Sequence, residues 1–227
     1  MASRIGIGTS AGTGIGIRAG AVAVLRLAFA ALAAYTLAFA CNRASTPPQG
    51  VGTLNFFSYF TILSNMAATV TLAVGGVALL LGSVPGMPDG VRGAVTAYMV
   101  VTGIIYAVVL QQMQDGQLLA WIDDVVHRVM PVVVFVDWLA VPPREKQPYP
   151  TLWYWLLFPL AFVPYSLIRG HFVNWYPYPF LDPREHGYAH VAFECCVIAV
   201  VIAAICVAIV WLGRQAGRRS WLRVSRA

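Results

Sequence analysis

Charged side chains are scarce in this chain, 11% of 227 residues against 59% hydrophobic, and the mean hydropathy is +0.71. That balance lies outside the range of a soluble domain and marks an integral membrane protein. Cysteine is sparse too. Of Cys41, Cys195, Cys196 and Cys206, only Cys41 falls between hydrophobic stretches, so neither a disulfide framework nor a CxxC metal pattern can be assembled. The glycines at 6, 8 and 12 lack the preceding strand and the lysine of a phosphate loop. No aromatic-basic module accompanies the arginines, which argues against nucleic acid as a partner.

What the chain does have is long hydrophobic runs. A helix crossing the hydrocarbon core needs roughly 20 apolar residues, and six stretches qualify, at about 19–40, 54–81, 93–112, 122–141, 151–169 and 189–212. The expectation is an all-α, polytopic bundle of six transmembrane helices over 19–213, between a flexible leader at 1–18 and a basic tail at 214–227. The first run is longer than a signal-peptide core and lacks a convincing cleavage site, so it is expected to remain in the mature protein.

Six spans place both termini on one side of the membrane. Arg4, Arg18, Arg92, Arg144, Lys146 and the arginines at 214, 218, 219, 223 and 226 share that side, whereas only Arg43, Arg169 and Arg184 fall opposite. The positive-inside rule then makes both termini cytoplasmic, in the plasma membrane, with the tail against anionic lipid.

Polar residues inside the spans are the candidates for function. The second span opens NFFSYFTILSN, Asn55 to Asn65, and at about 100° per residue Ser58, Thr61, Ser64 and Asn65 share one stripe. Such a stripe belongs against protein or a wet cavity, not lipid. Thr61 lies roughly 10 Å and His127 roughly 8 Å below the same surface, at about 1.5 Å per residue. An imidazole at matching depth can take the proton of a threonine hydroxyl attacking a carbonyl, and return it to the leaving group. The alternative for Thr61 is a bond to its own Phe57 carbonyl, and for His127 an interhelical hydrogen bond.

Either Asp123 or Asp124, four and three residues before His127, is placed to fix its tautomer, the alternative being an acidic helix N-terminus favoured by the macrodipole. The Asn65 amide, one turn from Thr61, is the candidate oxyanion donor. The aromatic loop HFVNWYPYPFLD, His171 to Asp182, reads either as an interfacial belt or as a lid. As a lid, Trp175, Tyr176 and Tyr178 rim an outward-facing cleft, with His171 below. His186, His190 and Glu194 follow an i, i+4, i+8 spacing that suits a metal, but Pro183 and Gly187 weaken the helix it needs, and the reading taken is no metal and no cofactor. Arg26 and Asp137, level on the inner half, are expected to form a structural ion pair.

NFFSYFTILSN in the second span, HRVMPVVVFVDW from His127, and NWYPYPFLD before the last span resemble the androgen-induced family of multispan membrane proteins, across roughly residues 50–190. The animal members of that family are threonine hydrolases that cleave fatty acid esters of hydroxy fatty acids. By this resemblance Thr61, followed by an aliphatic residue, matches the nucleophilic threonine. His127, which precedes Pro131 and the acidic Asp137 on one helix, matches the catalytic histidine. The Asp123, Asp124 pair and the His186, His190, Glu194 series depart from the animal members. The expected function is therefore a lipid ester hydrolase acting on a substrate from the outer leaflet. The alternative is a non-enzymatic lipid binder or transporter using the same polar stripe.

Overall fold

The computed structural model describes residues 10–46, 51–82, 86–111 and 119–218, and side chains within these segments from residue 16 to 217. The described residues are helical and contain no strand. The helices are α1 (Ser10–Ala44), α2 (Thr53–Phe56), α3 (Phe60–Leu80), α4 (Asp89–Ile105), α5 (Ala120–Asp124), α6 (Met130–Ala140), α7 (Leu152–Val173) and α8 (Pro183–Arg218). A π-helical turn, Tyr106–Leu110, extends α4, and another, Val125–Val129, joins α5 to α6. The helical backbone of α1 begins within the segment expected as a flexible leader, and α8 runs on into the expected basic tail. The rest of those two segments, 1–9 and 219–227, lies outside the described residues.

Among the described residues, five helices are long and apolar enough to cross a membrane: Gly16–Ala44, Phe60–Leu80, Asp89–Leu110, Tyr149–Val173 and Pro183–Gly217. The stretch expected as the fourth span is helical from Ala120 to Ala140 but is not among them, because it carries Asp123, Asp124, Arg128 and Asp137.

Contacts between helix ends give the topology. At one end, Arg26 of α1, Arg92 near the start of α4 and Asp137 near the end of α6 form one ion network. Trp138 of α6 donates to the Ile209 carbonyl of α8 at 3.1 Å, and Arg214 of α8 donates to the Gln147 carbonyl before α7 at 3.0 Å. At the other end, Leu37 and Ala40 of α1 pack with Phe56, with Ile62 at the start of α3 and with Ile122 of α5. The long helices therefore alternate in direction, and α1 starts at the end where α8 finishes.

Small residues let α1 and α3 approach closely. Gly76 leaves no room for a Cβ, which would lie 2.8 Å from Leu27 Cγ, and Ala30, Ala33 and Ala68 share one buried cluster. Between lipid-exposed helices this close packing supplies the attraction that the hydrophobic effect cannot. Gly75 faces Arg26, whose guanidinium bonds Asp137 through Nε at 2.6 Å and Nη2 at 3.0 Å. Arg92, read from the sequence as a loop residue, is instead buried in α4, where it bridges Asp89 and Asp137 and donates to the Val141 carbonyl at 2.7 Å. Two arginines and two aspartates thus neutralise one another inside the bundle, the condition under which buried charge is tolerated.

Candidate functional site

The second hydrophobic stretch is not one continuous helix. α2 stops at Phe56, residues 57–59 turn, and α3 restarts at Phe60. This break changes the expected stripe. Ser58 sits in the turn, where its hydroxyl donates to the Leu54 carbonyl at 2.7 Å and lies 2.9 Å from the Tyr165 hydroxyl of α7. Thr61 becomes the second residue of a helix, one of the positions whose N–H has no intrahelical acceptor. That N–H donates to the Tyr178 hydroxyl at 3.3 Å.

Thr61 Oγ1 lies 3.3 Å from His127 Nε2 and 3.4 Å from the Tyr178 hydroxyl, and no bond runs back to Phe57. His127 Nδ1 lies 2.9 Å from Asp123 Oδ1, and Asp123 Oδ2 accepts the Tyr106 hydroxyl. Thr61, His127 and Asp123 are all buried. A carboxylate accepts only, so it holds the imidazole proton on Nδ1 and leaves Nε2 to accept from the threonine. The Tyr106 ring stacks on the imidazole with centroids 4.2 Å apart and planes 10° from parallel, which fixes the ring's face as well as its edge.

The two π turns build this cluster. Tyr106 opens one, and His127 sits in the middle of the other. In the second, the Met130 N–H bonds the Val125 carbonyl, five residues back. The Val126 carbonyl then has no main-chain donor, since Met130 is engaged and Pro131 has no N–H. The Asn65 side chain takes its place, donating to Val126 at 3.0 Å and to its own Thr61 carbonyl at 2.9 Å. Both amide hydrogens of Asn65 are therefore committed to backbone, so the amide is a brace between α3 and the His127 helix and not the oxyanion donor that its spacing suggested.

Asp124, the other expected partner of His127, points the other way and pairs with Arg128 at the surface, both about half exposed. Past α7, Asn174 adopts a left-handed conformation at φ 53° and turns the chain. Trp175 packs edge-on against Tyr59 with centroids 5.4 Å apart, beside the start of α3. The Tyr176 ring lies over Gly170, where a Cβ would come within 2.1 Å of it. Arg184 ties the loop's end down, bonding Asp182 and the Asn174 carbonyl, and that bond holds the Asp182 carboxyl below its ordinary range.

The loop is thus a folded plug. Tyr178, expected on the rim of a lid, is buried and reaches Thr61, and burial raises its phenol to about 12. His171, expected beneath the lid, is exposed at the last turn of α7 beside Phe172. His190 and Glu194 approach to 3.8 Å and His186 packs edge-on against His190, but Gly187 interrupts the helix at φ 75°. Among the described residues no three His, Cys, Asp or Glu side chains converge to hold a metal ion.

Thr61 and Tyr178 lie in the wall of a cavity of about 380 Å³ between α3, α4, α7, α8 and the turn Pro179–Leu181. Most of the lining is hydrocarbon, from residues such as Val101, Ile105, Phe162, Ile198 and Ile202. Sequence reasoning missed Tyr106 entirely and gave Tyr178 only a rim position. The signals for them were weak: Tyr106 is one aromatic among many in its span, and Tyr178 depends on how a loop folds inward.

Comparison with known protein families, curated proteins and solved structures finds no match for this chain.

Proposed function

We propose that this protein is a membrane-embedded lipid ester hydrolase with Thr61 as nucleophile, His127 as general base and Asp123 as the group that orients His127. The carrying observation is the unbroken relay from Thr61 Oγ1 to His127 Nε2 at 3.3 Å and from His127 Nδ1 to Asp123 at 2.9 Å, which ends on a threonine in the wall of an apolar cavity. A structural hydrogen bond alone needs no carboxylate, stacked tyrosine and amide brace behind it.

In the reaction, Thr61 Oγ1 bonds the ester carbonyl carbon as His127 Nε2 takes its proton. The carbonyl electron pair moves onto oxygen, where the Tyr178 hydroxyl is the nearest donor and the N-terminal end of α3 favours negative charge. Collapse expels the alcohol, which takes the proton back from Nε2 and leaves an acyl-threonine. A water then repeats the sequence, giving its proton to His127, and the fatty acid leaves as Thr61 recovers its hydrogen. Asp123 stays ionised throughout and stabilises the imidazolium.

The reading carries six spans, with the Asp123 to Asp137 helix as the fourth and both termini in the cytoplasm. Its support is that Asp123 and Asp137 are paired inside the bundle and that lysine and arginine gather on the terminal side. The plasma membrane is the proposed location, and a fatty acyl ester the proposed substrate class, consistent with the resemblance to the androgen-induced family. The apolar cavity also suits a lipid binder without turnover. Labelling of detergent-purified protein by an acyl-directed fluorophosphonate separates the two. Thr61→Ala and His127→Ala, at unchanged melting temperature, abolish both labelling and ester cleavage if Thr61 is the nucleophile. Undiminished labelling of both removes the hydrolase reading.

A further inference from the structure

The cavity beside Thr61 has its opening in an unexpected place. Among its lining residues, Leu160 and Pro164 from α7 and Cys196 and Ala199 from α8 are exposed, so the cavity opens sideways between these two helices. These residues lie well inside both helices, away from their ends. The prolines at 159 and 164 both line it. A proline in a helix cannot donate to the carbonyl four residues back. For Pro159 that carbonyl belongs to Trp155, and it is satisfied from outside by the Tyr98 hydroxyl of α4 at 2.8 Å. The α7 wall is thereby kept helical across the opening. The opening lies between two ties near the helix ends, Arg214 on Gln147 at one and the plugged loop at the other.

In a bilayer such an opening meets acyl chains and not water. We propose that the cavity is a binding site for one hydrocarbon chain of a membrane lipid, which enters laterally between α7 and α8 and stops with its carbonyl against the hydroxyls of Thr61 and Tyr178. The cavity volume falls within the range of small-molecule sites, about 300–1,000 Å³, and is too small for a partner helix. Lipid tails are as apolar as the walls, so burying a chain gains little by itself. Discrimination comes from the polar end. A lipid carbonyl surrounded by hydrocarbon lacks a donor, and the Tyr178 O–H supplies one. The site therefore selects a carbonyl-bearing chain over a plain alkane of equal length. Chain binding stands without hydrolysis; only the delivery of that carbonyl to a nucleophile rests on the function proposed above.

The test uses the full chain in lipid nanodiscs and a long-chain methyl ketone carrying a photoreactive diazirine near its far end, a carbonyl that cannot be hydrolysed. Crosslinks mapped by mass spectrometry are expected on cavity residues such as Val101, Ile198 and Ile202. Unlabelled ketone competes and the matching alkane does not. Ala199→Trp, which fills the opening, removes these crosslinks, whereas Ala208→Trp on an exposed part of the same helix leaves them. Crosslinks spread over outward-facing residues such as Val132, Trp153 and Phe193, equal competition by the alkane, or an unchanged map in stable Ala199→Trp would each overturn the proposal. If the map holds while Thr61→Ala retains ester cleavage, the hydrolase reading falls and the chain site stands. If cleavage depends on Thr61 but the crosslinks lie elsewhere, the chain site alone falls.

Discussion

Asn65 donates one amide hydrogen to the Val126 carbonyl of the neighbouring helix and the other to the Thr61 carbonyl, so a single side chain spans the backbone of both proposed catalytic helices. Removing it orphans a buried carbonyl inside a π turn. Asn65→Ala is expected to lower unfolding free energy by about 1–3 kcal/mol and to reduce kcat with little change in KM. Asn65→Asp, which keeps the shape but loses the donors, is expected to fare no better. Thermal melts alongside ester turnover check this. A variant with full stability but abolished turnover would instead point to a direct role for the amide in the chemistry.

The choice between the two aspartates before His127 gives a sharper contrast. Asp123 faces Nδ1 while Asp124 faces Arg128 at the surface. Asp123→Asn permits the wrong tautomer and is expected to cost up to about 10⁴-fold in kcat. Asp124→Asn breaks an exposed, solvent-screened pair and leaves turnover unchanged. Equal losses in both would show that the carboxylates act through the local field and not through the Nδ1 bond.

Tyr178 is expected to act as a neutral donor. Its buried phenol is raised from 10.0 to about 12, so the folded state holds the proton more tightly than the unfolded chain. The donor is intact at neutral pH, and the wild-type rate profile should show no loss from this group near the ordinary tyrosine range. The stability it contributes through this proton is full below about pH 10 and is lost as pH rises through about 12. Tyr178→Phe is expected to lower kcat by about 10²–10³ and to flatten that alkaline decline. Gly170→Ala, whose new methyl would meet the Tyr176 ring, should reduce turnover by shifting the same loop.

The charge network at the other end of the bundle should matter for stability alone. Asp137 is shared by Arg26 and Arg92, and Asp137→Ala leaves one buried guanidinium without its carboxylate. Breaking a buried pair in this way costs about 3–5 kcal/mol. The double variant Arg26→Met with Asp137→Asn is expected to recover much of the loss, because Arg92 keeps Asp89. Melting temperatures of the single and double variants measure this. An equally unstable double variant would mean that Arg26 is needed for more than neutralising Asp137.

The sequence by itself determined the helical membrane class and the matching level of two pairs of polar residues, Thr61 with His127 and Arg26 with Asp137. Depth accumulates at about 1.5 Å per residue along any helix, which is why counting from span ends paired Thr61 with His127 and Arg26 with Asp137. Azimuth and loop folding do not accumulate in that way. A π turn shifts the helical phase, so spacing alone does not distinguish Asp123 from Asp124 as the partner of His127. The break at 57–59 removed Ser58 from a stripe that an unbroken helix would have kept. The burial of Tyr178, the stacking of Tyr106 and the sideways opening between α7 and α8 were decided only by tertiary structure, because each depends on contacts between segments far apart in the chain.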